Sequence, residues 1–259
     1  MIKNFDFLIT FQKLQMGVEY DELIKFLYAM LAFTKSNPSP FQNYALINKV
    51  PNSKELKIIE DKFNSLNRTP AFYFENNEKF LADLKDKVGD SYRIKWEDSW
   101  MFFDNREIDK SRFGQVEKVS YEIDLEIFLS TFDACYQKND PQNPYGEVKD
   151  YIINCRRAWN KFKGTDRLQY FLVYEDERPV ATSILNNFEG LGYISAVGSL
   201  KEVRGKGYGK LATLYAVFQS QKLGNKEQVL ATEERTYPNE FYKRIGFETR
   251  FTALGYTKM

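Results

Sequence analysis

The sequence predicts an α/β protein, because helix-like and strand-like segments alternate along its 259 residues. In the helix-like segments apolar residues recur with the 3.6-residue period of an amphipathic helix. The strand-like segments are short runs rich in β-branched and aromatic residues, bounded by turn residues. Apolar residues make up 43% of the chain, which is enough for a packed core.

The first half has the predicted order strand, helix, strand, helix, strand. Before these elements, the apolar residues between positions 23 and 31 predict an amphipathic helix. Asn52 and Glu55 predict a capping box at the start of a further helix. The other predicted elements are strands over 44–47, 70–75 and 92–96 and a helix over 77–88 that ends at Gly89.

The second half begins with two predicted helices, the first capped by Asp124 and the second starting near Glu147. Two strand-like runs around an acidic turn, 168–174 and 179–185, predict a hairpin. The polar segment 104–118 is interpreted as a linker between the halves. The later predicted elements are strands over 191–199 and 229–232, with a helix between them after residue 210.

The charge balance excludes a general electrostatic case for nucleic acid or an anionic membrane, since 37 basic residues face 36 acidic ones. The chain has no histidine, which excludes histidine triads, histidine metal sites and an imidazole base. Its two cysteines, Cys135 and Cys155, fall on apolar helix faces and indicate core residues. We therefore expect no metal, no disulfide framework and no nucleic-acid partner.

The compartment is expected to be the cytoplasm. Two cysteines suit a reducing environment. No apolar run approaches the roughly 20 residues of a membrane span, and the first residues lack the regions of a signal peptide. We accordingly expect no membrane partner.

A glycine-rich run, Arg204-Gly205-Lys206-Gly207-Tyr208-Gly209-Lys210, lies between a predicted strand and a predicted helix. This order directs backbone N–H groups and the positive end of a helix toward a phosphate. Its glycines permit close approach of a ligand, and its basic residues add positive charge. The run matches neither G-x-G-x-x-G nor a Walker loop, since Leu211 follows Lys210. It predicts a diphosphate site, with a simple tight turn as the alternative.

The pattern Arg204-x-x-Gly207-x-Gly209 resembles motif A of the GNAT superfamily of N-acetyltransferases. Upstream, Val197-Gly198-Ser199-Leu200 is similar to the end of the family's splayed central strand. Downstream, the segment from Pro238 to Phe247 resembles the family's motif B, with Asn239 and Tyr242 at its characteristic positions. The resemblance implies a mixed, mostly antiparallel central sheet flanked by helices.

The resemblance implies a catalytic GNAT domain over residues 117–259. Because the first half repeats the same order of strands and helices, residues 1–110 are interpreted as a second, degenerate GNAT-like copy. At the turn equivalent to the glycine-rich run, the first half has Asn48-Lys49-Val50-Pro51-Asn52-Ser53. Pro51 lacks an N–H donor, and no glycine permits close approach. We therefore expect acetyl-CoA to bind only in the second half.

The resemblance further implies direct transfer of acetyl from acetyl-CoA to a primary amine. Glu233 and Glu234 are candidate bases, with a solvated acidic loop as the alternative. Tyr242 is the candidate acid for the leaving thiolate, with a packing tyrosine as the alternative. The backbone N–H near Val197 is expected to polarise the thioester carbonyl. The expected acetyl-CoA-binding residues are Val197, Gly198, Ser199, Arg204, Gly205, Lys206, Gly207, Tyr208, Gly209, Lys210 and Asn239.

Two other functions are compatible with this fold. A non-catalytic acyl-CoA-binding regulator would keep the loop without turnover. An aminoacyl-tRNA-dependent transferase also uses tandem GNAT-like folds, but such enzymes lack an intact loop of the kind in 204–209. The sequence leaves open the acyl acceptor, the length of the acyl group and the oligomeric state.

Overall fold

The computed structural model describes residues 4–140, 142–143 and 148–259 of the chain. The helices are α1 (Phe5–Leu14), α2 (Ser53–Ser65), α3 (Glu78–Val88), α4 (Glu122–Cys135), α5 (Lys149–Phe162), α6 (Tyr208–Lys222) and α7 (Tyr237–Arg244). The strands are β1 (Glu22–Lys25), β2 (Ala29–Phe33), β3 (Tyr44–Ile47), β4 (Ala71–Glu75), β5 (Tyr92–Phe103), β6 (Val116–Lys118), β7 (Leu168–Glu175), β8 (Arg178–Phe188), β9 (Leu191–Ser199), β10 (Glu227–Glu233) and β11 (Phe247–Lys258). The expected helix start near Glu147 lies outside the described residues.

The chain forms two compact units that do not follow chain order. The first unit comprises Met1–Trp100, Ala231–Glu234 and Thr249–Met259, and the second comprises Met101–Leu230 and Arg235–Glu248. This division differs from the expected ranges 1–110 and 117–259, because three long strands, β5, β10 and β11, contribute residues to both units.

In the first unit the strand order is β1-β2-β3-β4-β11-β5. β3 and β4 are parallel, whereas β1–β2, β2–β3 and β4–β11 are antiparallel. The expected helix over residues 23–31 is wrong, since this segment forms the antiparallel pair β1–β2. All five residues of β2 are buried, and a short apolar run of this kind does not separate strand from helix by periodicity.

The helix ends of the first unit follow local rules. The capping box at α2 is confirmed, because Asn52 Oδ1 accepts from the backbone N–H of Glu55 at 3.0 Å and Glu55 accepts from the N–H of Asn52 at 2.9 Å. The end of α3 at Gly89 is also confirmed, and this residue has a φ of 66°. These two helices cover one face of the unit, where Phe63 and Leu84 lie in the same apolar cluster as Phe72.

The opposite face of the first unit carries aromatic residues with polar atoms. Tyr73 lies between Phe72 and Phe74 in β4, and alternate residues of a strand point to opposite faces. Trp100 packs edge-to-face against Phe11 of α1, with ring centroids 4.6 Å apart. This arrangement places tyrosine and tryptophan donors in a buried layer.

In the second unit the strand order is β10-β9-β8-β7-β6. β6–β7, β7–β8 and β8–β9 are antiparallel, and β9 and β10 are parallel over Glu227–Val229. α6 packs on β8, where Ser183 Oγ donates to Ala212 O at 2.9 Å. The expected mixed, mostly antiparallel sheet flanked by helices is therefore confirmed.

Two local expectations in the second unit need correction. Asp124 is not the N-cap of α4 but lies in its first turn, where its carboxylate accepts from the backbone N–H of Tyr121 at 2.9 Å. The segment 104–118 is not a free linker, because Ile108 and Val116 are buried in the core of this unit. Both side chains are buried although most residues of the segment are polar, so the composition of the segment did not predict its packing.

Gly255 is required by packing in the first unit. A Cβ at this position would lie 2.1 Å from Trp96 Cδ2 and Cε2, so the indole lies directly on the glycine. We expect Gly255→Ala to lower the free energy of unfolding by at least about 1–3 kcal/mol, as overpacking does. Urea denaturation measures this change, with Gly114→Ala as control because its Cβ would have nothing within 4 Å. Equal losses in the two variants would contradict the assignment.

Candidate active site

A β-bulge interrupts the pairing of β9 with β8. Between the pairs Thr182–Gly198 and Ile184–Ser195, one residue of β8, Ser183, faces two residues of β9, Ala196 and Val197. In the bulge, Ala196 has a φ of 49°, in the left-handed region, and its carbonyl accepts from Thr182 Oγ1 at 2.8 Å. Bulges redirect backbone groups and occur often beside active sites. This one includes Val197, the first of the expected pantetheine-binding residues 197–199.

The end of β9 is fixed against the end of α4. Tyr136 OH donates to Val197 O at 2.6 Å. A Cβ at Gly198 would lie 2.6 Å from Cys135 Cβ, so only glycine allows this approach. Burial raises the pKa of the Cys135 thiol to about 12, although the charge of Arg204 acts in the opposite direction. Cys135 is therefore a packing residue and carries no reactive thiolate at neutral pH.

The loop before α6 has two residues in the left-handed region. Gly205 has a φ of 84° and Gly207 a φ of 86°. Gly207 is the N-cap of α6 and provides no side-chain hydrogen bond to the helix. The first N–H groups of a helix have no intrahelical acceptor, so the start of α6 presents backbone donors at the positive end of its dipole. In the loop before the helix, the N–H of Lys206 is already used, because it donates to Val203 O at 3.2 Å.

Two of the three basic residues in the loop form ion pairs within the unit. Arg204 lies 2.7 Å from Asp140 Oδ2, and the Asp140 side chain is only 5% exposed. Lys206 lies 2.8 Å from Glu175 Oε1. The hydrogen bond from Lys206, together with one from Tyr208 OH, lowers the pKa of the Glu175 carboxyl. Lys210 is exposed. The side chains of Arg204 and Lys206 thus hold the loop in place.

Arg112 is a further residue of this loop region that sequence reasoning missed. Its Nη1 donates to Lys206 O at 3.1 Å, and its guanidinium lies 4.7 Å from the centre of the Tyr208 ring. Arg112 belongs to the segment interpreted as a linker, where a single arginine in a polar context gives no signal.

The motif-B helix, α7, lies beside the start of α6. A Cβ at Gly209 would lie 3.7 Å from Phe241 Cζ and 3.8 Å from Ser199 Oγ, so the three elements that carry these residues meet here. Asn239 is fully buried, and its Nδ2 lies 3.5 Å from Met101 Sδ. Tyr242 is 8% exposed in the core of the second unit, with its ring 5.0 Å from that of Phe241.

Residues 125–247 match the model of the acetyltransferase (GNAT) family. This part of the chain is a GNAT domain. The match includes the bulged strand β9, the glycine-rich loop and α7, which are the elements that the resemblance in the sequence rested on. Among curated proteins, no sequence matches the chain.

Solved structures share the fold along nearly the whole chain. A GCN5-related N-acetyltransferase from Kribbella flavida has a TM-score of 0.64 at 18% identity and covers 100% of this chain and 96% of its own. A functionally unknown conserved protein from Staphylococcus epidermidis has a TM-score of 0.64 at 14% identity, covering 94% and 96%. A tandem GNAT protein from the clavulanic acid biosynthesis pathway has a TM-score of 0.58 at 11% identity, covering 88% and 77%. At these identities the likeness concerns the fold alone.

The described part of the chain contains neither a candidate membrane span nor a candidate metal site. Within the described ranges, no helix has both the length and the apolar character of a membrane span. In the same part of the chain, no group of three or more acidic or cysteine side chains is arranged to hold a metal ion.

The expected bases, Glu233 and Glu234, lie in the first compact unit and Tyr242 lies in the second, although all three fall within the residues of the family match. The N–H of Glu234 donates to Glu97 O at 3.2 Å. Burial raises the pKa of the Glu233 carboxyl above its ordinary value. Glu233 therefore accepts a proton more readily than an exposed glutamate does.

Asp98 is a second perturbed carboxyl in the first unit, and sequence reasoning missed it. Its Oδ2 accepts from Tyr73 OH at 2.8 Å and from Trp96 Nε1 at 3.1 Å. Burial raises the pKa of the Asp98 carboxyl to about 7; these two hydrogen bonds lower it, and the charges of Glu233 and Glu97 raise it. The available signal was an aspartate two residues from Trp96, which places both on one strand face.

Asp98→Asn should stabilise the protein in a pH-dependent way. The pKa of about 7 in the folded state lies above the ordinary value near 3.9, so folding takes up a proton between these values. The stability of the wild type is then fully present below about pH 4 and falls as the pH rises toward 7. Asparagine accepts the same hydrogen bonds without this loss. We expect the gain from Asp98→Asn to be roughly 1 to 3 kcal/mol larger at pH 8 than at pH 4.

Urea denaturation at the two pH values measures the gain. The matched control is Asp86→Asn, because Asp86 is an exposed aspartate of the same unit. A gain that does not depend on pH would contradict the raised pKa.

Proposed function

We propose that the chain is an acyl-CoA-dependent N-acyltransferase that transfers acetyl from acetyl-CoA to a primary amine. The observation that carries this proposal is the uncapped start of α6, preceded by the left-handed residues Gly205 and Gly207. It lies in a GNAT domain, beside the bulged end of β9. GNAT folds that bind acyl-CoA need such donors for a pyrophosphate.

In this proposal the pyrophosphate accepts hydrogen bonds from the amides of Gly205 and of the segment 207–210. The amide of Lys206 is left out, because it donates to Val203 O. Arg204, Lys206 and the exposed Lys210 contribute positive charge, the first two as members of ion pairs. Gly205 and Gly207 leave the approach free of side chains.

The pantetheine arm would pair with backbone groups of 197–199, as an added strand does. The Tyr136 hydroxyl already occupies Val197 O, so the arm would use the other backbone groups of this segment. Gly198 has no side chain and Ser199 has a small one, so neither would obstruct the approach of the arm. Asn239 is fully buried, and we assign it to holding the start of α7 beside the arm instead of contacting it.

The reaction needs a neutral amine, whose protonated form has an ordinary pKa near 10.4. Its nitrogen would attack the thioester carbonyl, polarised by a backbone N–H near Val197. The C–S bond then breaks, and Tyr242 would protonate the leaving thiolate. Glu233 and Glu234 are the proposed acceptors of the amine proton, and the raised pKa of Glu233 supports its role.

A non-catalytic acyl-CoA-binding regulator is the second candidate. The burial of Tyr242 favours it, because a ring packed against Phe241 and Phe247 is also what a purely structural tyrosine would show. Turnover with a panel of primary amines separates the two functions. The intact glycine-rich loop counts against an aminoacyl-tRNA-dependent transferase.

Gly207→Glu should abolish acetyl-CoA binding, since it adds bulk and negative charge at the proposed phosphate position. Calorimetry with the wild type should give a stoichiometry near one per chain, because the first unit has no equivalent loop. The matched control is Gly224→Glu at the other end of α6, where the glycine has a similar φ of 80°. Equal affinities in the two variants would overturn the loop assignment, and a stoichiometry of two would overturn the degenerate-copy interpretation.

Tyr242→Phe should lower kcat by about 10²- to 10⁴-fold, the usual contribution of general acid catalysis. The affinity for acetyl-CoA should stay the same, because the ring is retained and only the proton donor is lost. Tyr237→Phe is the control on the same helix, since Tyr237 is exposed. Release of free CoA measures kcat. An unchanged kcat in Tyr242→Phe would make this residue a packing tyrosine.

A further inference from the structure

Residues 108–115, which we call the strap, run along α6 within the second unit. The strap is fixed at its start by Ile108, which is buried in the core of this unit. Near its end, the ring centroid of Phe113 lies 5.0 Å from that of Tyr215 and 5.3 Å from that of Phe218, both on α6. The next residues form β6, which pairs with β7. The strap is therefore anchored on both sides of residue 112.

The strap places the Arg112 guanidinium beside the glycine-rich loop. Nε of Arg112 donates to Gln115 Oε1 at 2.9 Å, and this bond orients the planar group. Nη1 donates to the carbonyl oxygen of Lys206 at 3.1 Å, and the guanidinium carbon lies 4.7 Å from the centroid of the Tyr208 ring. A Cβ at Gly207 would lie 3.5 Å from Nη1. One side chain thus lies against three consecutive residues of the loop.

Lys206 and Tyr208 are held a second time from β7. Glu175 Oε1 accepts from Lys206 Nζ at 2.8 Å and from Tyr208 OH at 2.9 Å. Gly207 therefore lies between two residues that both Arg112 and Glu175 contact. A glycine adopts a left-handed φ and other conformations with similar ease. Because Gly207 has no side chain, contacts to its two neighbours are what keep its φ at 86°.

Arg112 lies outside the residues that match the GNAT family, which begin at residue 125. Its contacts with the loop are therefore not part of the pattern Arg204-x-x-Gly207-x-Gly209. The geometry suits arginine in particular. A planar guanidinium can donate to a carbonyl oxygen from its edge and pack its face on an aromatic ring, whereas an ammonium group is a point charge.

We propose that Arg112 is a positioning residue of the acetyl-CoA site, which holds Lys206 and Tyr208 so that the loop keeps its ligand-binding conformation. The inference rests on the proposed acyltransferase function. Without Arg112 the loop would adopt other conformations as well, and a ligand would bind only the competent fraction of molecules. Once bound, the ligand itself holds the loop. The effect therefore falls on binding and leaves the chemical step unchanged.

Calorimetry of the full chain with acetyl-CoA measures this effect. Arg112→Ala should raise Kd about tenfold, the scale of one hydrogen bond to a charged group. Arg112→Lys keeps the charge but should still raise Kd at least about threefold, because an ammonium group cannot make both contacts. Lys110→Ala is the matched control and should leave Kd unchanged. It removes one positive charge from the strap, and its Nζ lies 4.7 Å from the Phe218 ring of α6.

Two results of the calorimetry would overturn the proposal. Equal Kd values in wild type and Arg112→Ala would show that the loop does not need this side chain. Full recovery of the wild-type Kd in Arg112→Lys would assign the effect to charge alone. Circular dichroism of each variant establishes that it is folded.

Amide hydrogen exchange of the unliganded protein gives a readout that does not depend on acetyl-CoA. The N–H groups of Lys206 and Leu211 donate to backbone oxygens of residues 203 and 207 at 3.2 and 2.9 Å. Arg112→Ala should speed the exchange of both amides about tenfold, since local opening becomes easier. Leu223, whose N–H donates at 3.0 Å at the other end of α6, should exchange at the wild-type rate. Unchanged exchange at Lys206, or equally faster exchange at Leu223, would overturn the positioning role.

Acetyl-transfer kinetics separate this inference from the proposed function. With a primary amine that the wild type acetylates, Arg112→Ala should raise KM for acetyl-CoA and retain kcat. An unchanged KM, or a fall in kcat alone, leaves the function standing and overturns the inference. If the wild type neither binds nor consumes acetyl-CoA, the proposed function fails. The exchange rates of Lys206 and Leu211 then decide by themselves whether Arg112 holds the loop.

Discussion

The glycine-rich loop depends on one constraint, which is that α6 begins at a glycine and no side chain of the described residues caps the first backbone N–H groups of this helix. Most proteins avoid such groups by capping each helix with a side chain or by closing the turn on itself. At the start of α6 neither happens, because Gly207 has no side chain and its left-handed φ of 86° turns the chain directly into the helix. The conformation is open to glycine and strained for most other residues.

A loop whose backbone N–H groups do not hold it in place needs other contacts. In this loop, side-chain ion pairs and hydrogen bonds provide them. The Arg204–Asp140 pair has side chains that are 19% and 5% exposed, so water screens it less than an ordinary surface pair. Arg112 donates a hydrogen bond to the carbonyl oxygen of Lys206. Glu175 accepts one from the ammonium group of the same residue. These contacts use side chains and one carbonyl oxygen and no backbone amide of the loop. The loop is therefore preorganised, and binding a diphosphate there would lose less conformational entropy.

Local rules in the sequence predicted the features that depend on a few neighbouring residues. The capping box at Asn52 and the helix end at Gly89 are of this kind, and so is the position of the glycine-rich loop. The errors concern longer-range packing. The segment over residues 23–31 is a strand pair because its apolar residues are buried on both faces of β2, which periodicity within a short run does not reveal. Asp98 escaped notice because its environment is built by Tyr73, 25 residues away.

The two units differ in how the N-terminus of one helix is capped. α2 follows β3 in the first unit as α6 follows β9 in the second. At α2, Asn52 Oδ1 accepts from the N–H groups of Lys54 and Glu55, both at 3.0 Å. Those donors are satisfied within the chain, and a phosphate would have to displace the asparagine side chain to reach them. At α6 the N-cap is Gly207, which offers nothing to displace. The same local order, a strand followed by a helix, thus gives a side-chain-capped N-terminus at α2 and one without a side-chain cap at α6, and the difference follows from the chemistry of one residue.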